Sequence, residues 1–390
     1  MEKRRILTVT ISIGLQRLAT GVGAMALAAA LSSAPAMAQN AWDAEGFDLD
    51  ALVEAARAEP PITVYDSTGK IVEIAEAFAA RYGVEATGVK VSTGAQIDQV
   101  MREGQAGNVV GDVVVVQDVP PAMAQLVPMG LLESWTPPDL AEFIPEGMRD
   151  PVIIVSSPNV WTYNTEIYDS CPVGNIWELT EPEWNRKLAM QDPLGKPTYT
   201  DWFNQMESHF DDAIAAAYEA HYGSPLETDE DSATRAWVKA LAANAPLLTD
   251  SDSAAGDAVG ARGQADPFMG LMATAKFRDN GPDGLALGLC TGLDPFSGWM
   301  YPGVGMISTQ TDSPNAARLF IHYLLTEEGI APQSADGKLS SNTEVPAHPD
   351  DLSGVADYLD EMMPYSTATA MDDFDTRQDW QDFWRMNYTR

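Results

Sequence analysis

Ile62-Thr63-Val64-Tyr65-Asp66-Ser67-Thr68-Gly69-Lys70, running directly into the residues up to 81, decides the fold of this 390-residue chain. Ile62, Val64 and Tyr65 are β-formers that follow the breaker Pro60-Pro61, and Ile71, Ile74, Ala75 and Phe78 then recur at helical spacing. The spacing predicts strand, tight turn, helix. Ser67, Thr68 and Gly69 stand at the mouth of that helix, where unpaired backbone N–H groups and two hydroxyls converge on the space beyond the strand. Such a corner suits an oxyanion. Ser and Thr are also favoured there as plain helix caps, so one corner alone leaves both readings open.

The chain repeats the device. Val89-Lys90-Val91-Ser92-Thr93-Gly94 leads into a helix carrying Ile97, Val100 and Met101, and Asp112-Val113-Val114-Val115-Val116 reads as a third, buried strand. This is β-α-β-α-β with Ser-Thr-Gly at both strand-to-helix corners, and in an open parallel sheet such corners share the edge where ligands bind.

Before that region, Lys3, Arg4 and Arg5 form a basic start, residues 18–31 are apolar and small, and Ala36-Met37-Ala38 offers a cleavage site. Residues 1–38 read as a signal peptide cut after Ala38, and the mature protein as exported. No later stretch approaches the ~18 continuous apolar residues of a membrane span. With 57 Asp and Glu against 23 Lys and Arg the net charge is −34, and removing the signal makes the chain more acidic still. That balance argues against nucleic acid and anionic membrane surfaces, which need basic patches. The two cysteines, Cys171 and Cys290, are expected to pair in an oxidising compartment. Four scattered histidines offer no zinc-like constellation.

Further along, a short amphipathic helix is expected over 41–59, within an N-terminal helix and linker at 39–60. A first lobe is expected over 61–158, its β-α units ending near Trp135 and Val152-Ile153-Ile154-Val155 forming a strand before the chain crosses at Ser156-Ser157-Pro158-Asn159. The second lobe is expected over 159–299, with a helix at Trp177-Glu178-Leu179-Thr180-Glu181-Pro182-Glu183-Trp184, a strand ending at Met190, and hydroxyl-rich corners at Thr198 and Thr200 and at Ser251 and Ser253. Residues 300–345 cross back and complete the first lobe, and 346–390 read as a helical tail packed on a lobe.

Several of these stretches together resemble the type 2 periplasmic solute-binding proteins of ABC importers, in the branch of ferric-iron and sugar-phosphate binders. They are residues 62–70, Ser92-Thr93-Gly94 with its helix and the stretch 107–113, Asn159-Val160-Trp161-Thr162-Tyr163-Asn164-Thr165, and Met190-Gln191-Asp192-Pro193-Leu194-Gly195-Lys196-Pro197. Ser313-Pro314-Asn315-Ala316-Ala317-Arg318-Leu319-Phe320 with Glu327-Glu328-Gly329 completes the set, which spans nearly all of 61–345. The resemblance implies an α/β fold of two lobes joined by a hinge, a solute trapped in the interlobe cleft, and a periplasmic monomer that delivers it to an inner-membrane ABC permease without a cofactor and without entering the membrane. It departs from the iron binders: they use two adjacent tyrosines late in the second lobe, and the matching region here reads Asp266-Pro267-Phe268-Met269-Gly270-Leu271-Met272. Tyr218, His221 and Tyr222 are the alternative metal donors.

The residues expected to bind solute are Ser67, Thr68, Gly69, Thr93 and Gly94 from the first lobe, and Asn159, Trp161, Gln191, Thr198, Thr200, Trp202, Ser251 and Ser253 beyond the crossing. The hydroxyl-lined helix mouths favour an organic anion (phosphate ester, phosphonate, sulfonate or carboxylate). Ten tryptophans and the acidic balance favour an organic cation. The distant acidic surface is screened beyond roughly 8 Å at physiological salt, so the local donors weigh more. An acyl-enzyme reading of Ser67-Thr68-Gly69-Lys70 as Ser-x-x-Lys lacks the Lys-Thr-Gly and Ser-Asp-Asn strings that would complete it. The same stretch fails as a P-loop, with Val64 where the first glycine belongs and Ile71 after the lysine.

Overall fold

A computed structural model describes residues 46–389. The signal peptide, its cleavage site and the start of the N-terminal helix lie outside them. Of that helix the described part is α1 (Leu49–Arg57), capped by the Asp48 side chain, which accepts from the N–H groups of Asp50 and Ala51.

The expected first corner is present as β1 (Ile62–Asp66) and α2 (Ile71–Tyr82), followed by β2 (Ala86–Lys90), α3 (Thr93–Ala106) and β3 (Val113–Val116). β1 pairs in parallel with both β2 and β3. One turn, α4 (Val119–Pro121), and β4 (Leu132–Ser134) lead to the long β5 (Ile153–Asn164). Then come β6 (Leu188–Gln191), α5 (Thr198–Tyr222), α6 (Ala233–Ala243), β7 (Leu247–Thr249), α7 (Asp252–Gly260), β8 (Met269–Ala273) and β9 (Leu287–Leu289). β10 (Gly298–Ser308) returns, and α8 (Pro314–Leu324), α9 (Glu327–Ser334), β11 (Leu339–Ser340), β12 (Met362–Met363) and α10 (Ala370–Asn387) finish the chain.

The strands run in the order β2-β1-β3-β10-β5-β8-β6-β7, with β4 and β12 on β10 and with β9 and β11 on β5. Two parallel triplets, β2-β1-β3 and β8-β6-β7, thus flank a central antiparallel pair, β5 and β10. Side chains alternate faces as a strand requires. Val113 and Val115 enter a core with α1, α2 and α8, whereas Val114 and Val116 enter one with α3. In the other half Leu188 and Met190 pack with α5 and α6, and Ala189 packs with α7.

Three expectations change. Residues 177–184 form two 3-10 turns, Glu178–Thr180 and Pro182–Trp184, because Pro182 has no N–H to continue a helix and forces Glu181 into extended backbone (φ −77°, ψ 159°). The strand expected at 152–155 does not stop at Ser156-Ser157-Pro158. It continues to Asn164, since the fixed φ of proline lies within the β region, and Pro158 stands opposite Met300. The tail is helical only in α10 and two 3-10 segments, and Met362 and Met363 join the sheet beside Gly298 and Trp299. α10 packs on α5 and α6 but also on α4, so it touches both halves.

Cys171 and Cys290 are disulfide-bonded, 119 residues apart in sequence. Closing so long a loop removes denatured-chain entropy worth ~4–5 kcal/mol. Replacing both cysteines by serine is therefore expected to lower the unfolding free energy by about that amount, seen as an earlier urea midpoint with a steeper slope, because the uncrosslinked denatured chain exposes more surface.

Candidate functional site

All six parallel strands point their C-terminal ends at one cleft of about 1300 Å³. β1 delivers Ser67, Thr68, Gly69 and Lys70; the turn after β2 delivers Ser92, Thr93 and Gly94; β3 delivers Gln117 and Asp118. From the opposite side β6 ends in Gln191 and the loop to Thr198, β7 in Asp250, Ser251 and Ser253, and β8 in Ala273, Thr274 and Lys276. The central pair contributes Ser157, Asn159 and Tyr301.

At the first corner the Thr68 hydroxyl accepts from the Lys70 N–H at 3.3 Å. α2, α3 and α5 begin without any side-chain cap, at Lys70, Ser92 and Pro197 respectively. Of the four helix mouths at the cleft only that of α7 is capped, by Ser251, which accepts from the N–H of Ala254 at 3.3 Å. Three uncapped N-termini thus turn partial positive charge towards the cleft. Gly69 and Gly94 meet no atom within 4 Å where a Cβ would stand, and neither has positive φ. Nothing in the fold demands glycine at these two positions, and the space a side chain would take is the cleft.

The electrostatics run against the whole-chain balance. Lys70, Lys90, Lys196, Lys276, Arg278 and Lys338 line the cleft, beside Asp118, Asp192, Asp250, Asp252 and Asp336. Two of those carboxylates are held by cations in the lining, Asp252 by Lys196 at 3.6 Å and Asp336 by Arg278 at 2.8 Å. Asp118 is held from outside it by Arg377 at 2.7 Å. Lys90 makes no ion pair among the described residues, and Lys276 donates to the Ser253 hydroxyl at 2.8 Å. Beneath the first corner, buried Asp66 accepts from Gln333 at 3.1 Å, and Gln333 in turn accepts from Lys338 at 2.8 Å. Burial pushes the Asp66 carboxyl up and the Lys338 ammonium down, and each opposes the other's shift by attraction. Asn159 is buried with its Oδ1 unpartnered, and the Gln191 Oε1 is likewise unpartnered.

Of the residues expected from the sequence, Ser67, Thr68, Gly69, Thr93, Gly94, Asn159, Gln191, Thr198, Ser251 and Ser253 come together around this cleft. Trp161, Thr200 and Trp202 do not. Thr200 is turned back one helical turn onto the Pro197 carbonyl at 2.5 Å. Trp161 falls on the β5 face that enters the α5–α6 core, and Trp202 stacks there on Trp299 at 5.8 Å between ring centroids. The lysines and Tyr301 went unread. Lys70, Lys90 and Lys196 adjoin the corner motifs and carried a local signal, whereas Arg278, Tyr301 and Lys338 arrive from distant segments without one. Tyr218, His221 and Tyr222 lie elsewhere, His221 and Tyr222 both bound to Glu181 at 2.9 and 3.2 Å. No group of three or more His, Cys, Asp or Glu suited to a metal occurs among the described residues. Trp202→Ala is expected to cost ~3–5 kcal/mol of stability, whereas Gly94→Ala leaves stability unchanged or raises it by up to ~1 kcal/mol; urea unfolding of the two variants separates core from cleft.

A cleft fed by six strand ends, lying between two α/β halves, is a recognised architecture. The structure of iron-bound HitA from Pseudomonas aeruginosa superposes with a TM-score of 0.61 at 17% identity, covering 84% of this chain and 99% of that one. The Trichodesmium FutA protein in complex with iron and citrate gives 0.60 at 16%, covering 84% and 99%. The substrate-binding protein of an ABC transporter from Agrobacterium tumefaciens gives 0.63 at 14%, covering 85% and 95%. At such identities the likeness carries the two-lobed fold alone. No curated protein sequence matches the chain. The family model for bacterial extracellular solute-binding proteins matches residues 62–337, from β1 through to the loop after α9. That match takes in most of the chain and every strand that feeds the cleft, so the chain belongs to the bacterial extracellular solute-binding protein family.

Proposed function

We propose that the protein captures a small organic anion between its two lobes in the periplasm and hands it to an ABC permease. The observation that carries this reading is charge placement: in a chain of net charge −34, six Lys and Arg side chains gather around three uncapped helix N-termini. A phosphate ester, phosphonate, sulfonate or carboxylate suits that set, its oxygens taking N–H groups and the Ser67, Thr68, Thr93 and Thr198 hydroxyls. The lobes are residues 61–158 with 300–345, and residues 159–299. The hinge is the central pair, around 156–164 and 299–305, where the β5–β10 register shifts between Gly303 and Val304.

The iron held by the HitA and FutA structures favours a second reading, ferric iron as cargo. Among the described residues one tyrosine, Tyr301, lines the cleft, and burial pushes its phenol well above the ordinary value, with Asp118 and Asp201 adding to the shift. A single tyrosine departs from the adjacent pair that the iron binders use. As for acyl transfer, Ser67-Thr68-Gly69-Lys70 lacks the Lys-Thr-Gly and Ser-Asp-Asn strings that would complete such a site.

A thermal-shift screen with phosphate esters, phosphonates, sulfonates, carboxylates, amines and ferric citrate tests the reading. A true solute at 100 times its Kd stabilises the fold by ~2.7 kcal/mol. Stabilisation by amines or ferric citrate, with none by the anions, would reject it. Thr68→Ala with Thr93→Ala is expected to weaken anion binding at unchanged stability; equal affinity would reduce both corners to structure. Lys338 gives a pH signature. Its ammonium is held below the ordinary 10.5 by burial, so it loses its charge, and the anion its attraction, at a lower pH than a surface lysine would. Anion affinity is therefore expected to fall on the alkaline side, and Lys338→Met to remove that fall.

A further inference from the structure

We infer that Arg377, on the C-terminal helix and outside the cleft lining, is the latch that sets the spacing of the two lobes. Its guanidinium holds one carboxylate from each half. Nη2 lies 2.7 Å from Asp118 Oδ1 and 2.8 Å from Asp201 Oδ2, with Nη1 and Nε adding 3.4 and 3.1 Å contacts to the same two groups. Asp118 ends β3 and lines the cleft on the first-half side. Asp201 stands in the first turn of α5, three residues after Thr198, on the other side. The three side chains are only 14, 10 and 3% exposed.

α10 itself is fixed to the second half. Asp373 accepts from Asn204 at 2.7 Å, from Gln205 at 2.8 Å and from Tyr365 at 2.8 Å, and the Arg235 guanidinium lies 4.4 Å over the Trp380 ring. Its polar reach to the first half is Arg377 to Asp118, so the helix rides with one lobe and grips the other. Among the described residues the other ion pair between the halves, Arg278 to Asp336, has Arg278 46% exposed and adds little in high dielectric. The Arg377 cluster is buried, and removing one partner leaves an uncompensated charge in low dielectric. Without the guanidinium, nothing ties Asp118 to Asp201 across the interlobe boundary, and burial, which already pushes the Asp201 carboxyl well above the usual carboxylate range, leaves that group without its cation.

Arg377 is thus a positioning residue, and the test needs no solute. Small-angle scattering is recorded on the ligand-free protein and on Arg377→Gln, Asp118→Asn and Arg377→Lys. Arg377→Gln and Asp118→Asn are expected to show a larger radius of gyration at unchanged tryptophan emission, and Arg377→Lys to restore part of the parent value. A lower melting temperature with the radius unchanged in every variant would overturn the inference, leaving Arg377 as a fastening of the tail. Should Arg377→Gln fail to fold, Asp118→Asn decides alone, because it keeps the Arg377–Asp201 pair and frees only the first half. The inference rests on the two-lobe reading and not on the nature of the solute. An unchanged radius therefore leaves the anion proposal standing, and failure of the anion screen leaves the latch standing.

Discussion

Everything in this molecule hangs on the antiparallel pairing of β5 with β10. Residues 298–304 face residues 153–160 over seven partners, and the two parallel triplets hang from opposite edges of that ribbon. Each half is joined to the other through this ribbon, β3 pairing with β10 and β8 with β5. The same ribbon places Ser157, Asn159 and Tyr301 at the cleft floor, and it buries Trp161 and Trp299 in the core beneath. Both strands are buried on both faces, so a one-residue slip would exchange the side chains of the two faces and misfit the cores on either side.

The second organising fact is a contrast of scales. The molecule is strongly acidic as a whole, yet the cleft is lined by six cations against five carboxylates, three of which are already engaged by Lys196, Arg278 and Arg377. Screening confines the surface charge to its own neighbourhood, so the two fields coexist. The acidic exterior lowers the molecule's attraction to other polyanions, while the cleft lining carries one cation more than its carboxylates.

Much of this was legible in the sequence, because the decisive pattern is local. A β-former run, a Ser-Thr-Gly turn and a helical repeat sit within twenty residues at 62–81, and each part is fixed by short-range sterics and capping. Thr93, Thr198 and Ser251 could be found by the same pattern. What escaped is set by long-range packing. Trp202 and Thr200 lie four and two residues after Thr198, which lines the cleft, yet the 100° step of a helix turns them inwards, and no local rule says which face of α5 meets water. The Arg377–Asp118 pair spans 259 residues and leaves no trace in spacing or composition. The expected break at Ser156-Ser157-Pro158 failed for a related reason: proline tolerates an extended backbone, and only the strands beside it decide whether that backbone joins a sheet.

The position of β10 in the sheet also constrains the order in which the chain can fold. It lies between β3 and β5, yet it is made more than 180 residues after β3 begins, once the entire second half has been threaded. Until residue 308 is free, the parallel triplet of the first half has an open edge at β3, its valines unpaired on that side. Contacts of such separation in sequence form slowly. A chain with this topology therefore acquires its central strand late, after the whole second half has been made.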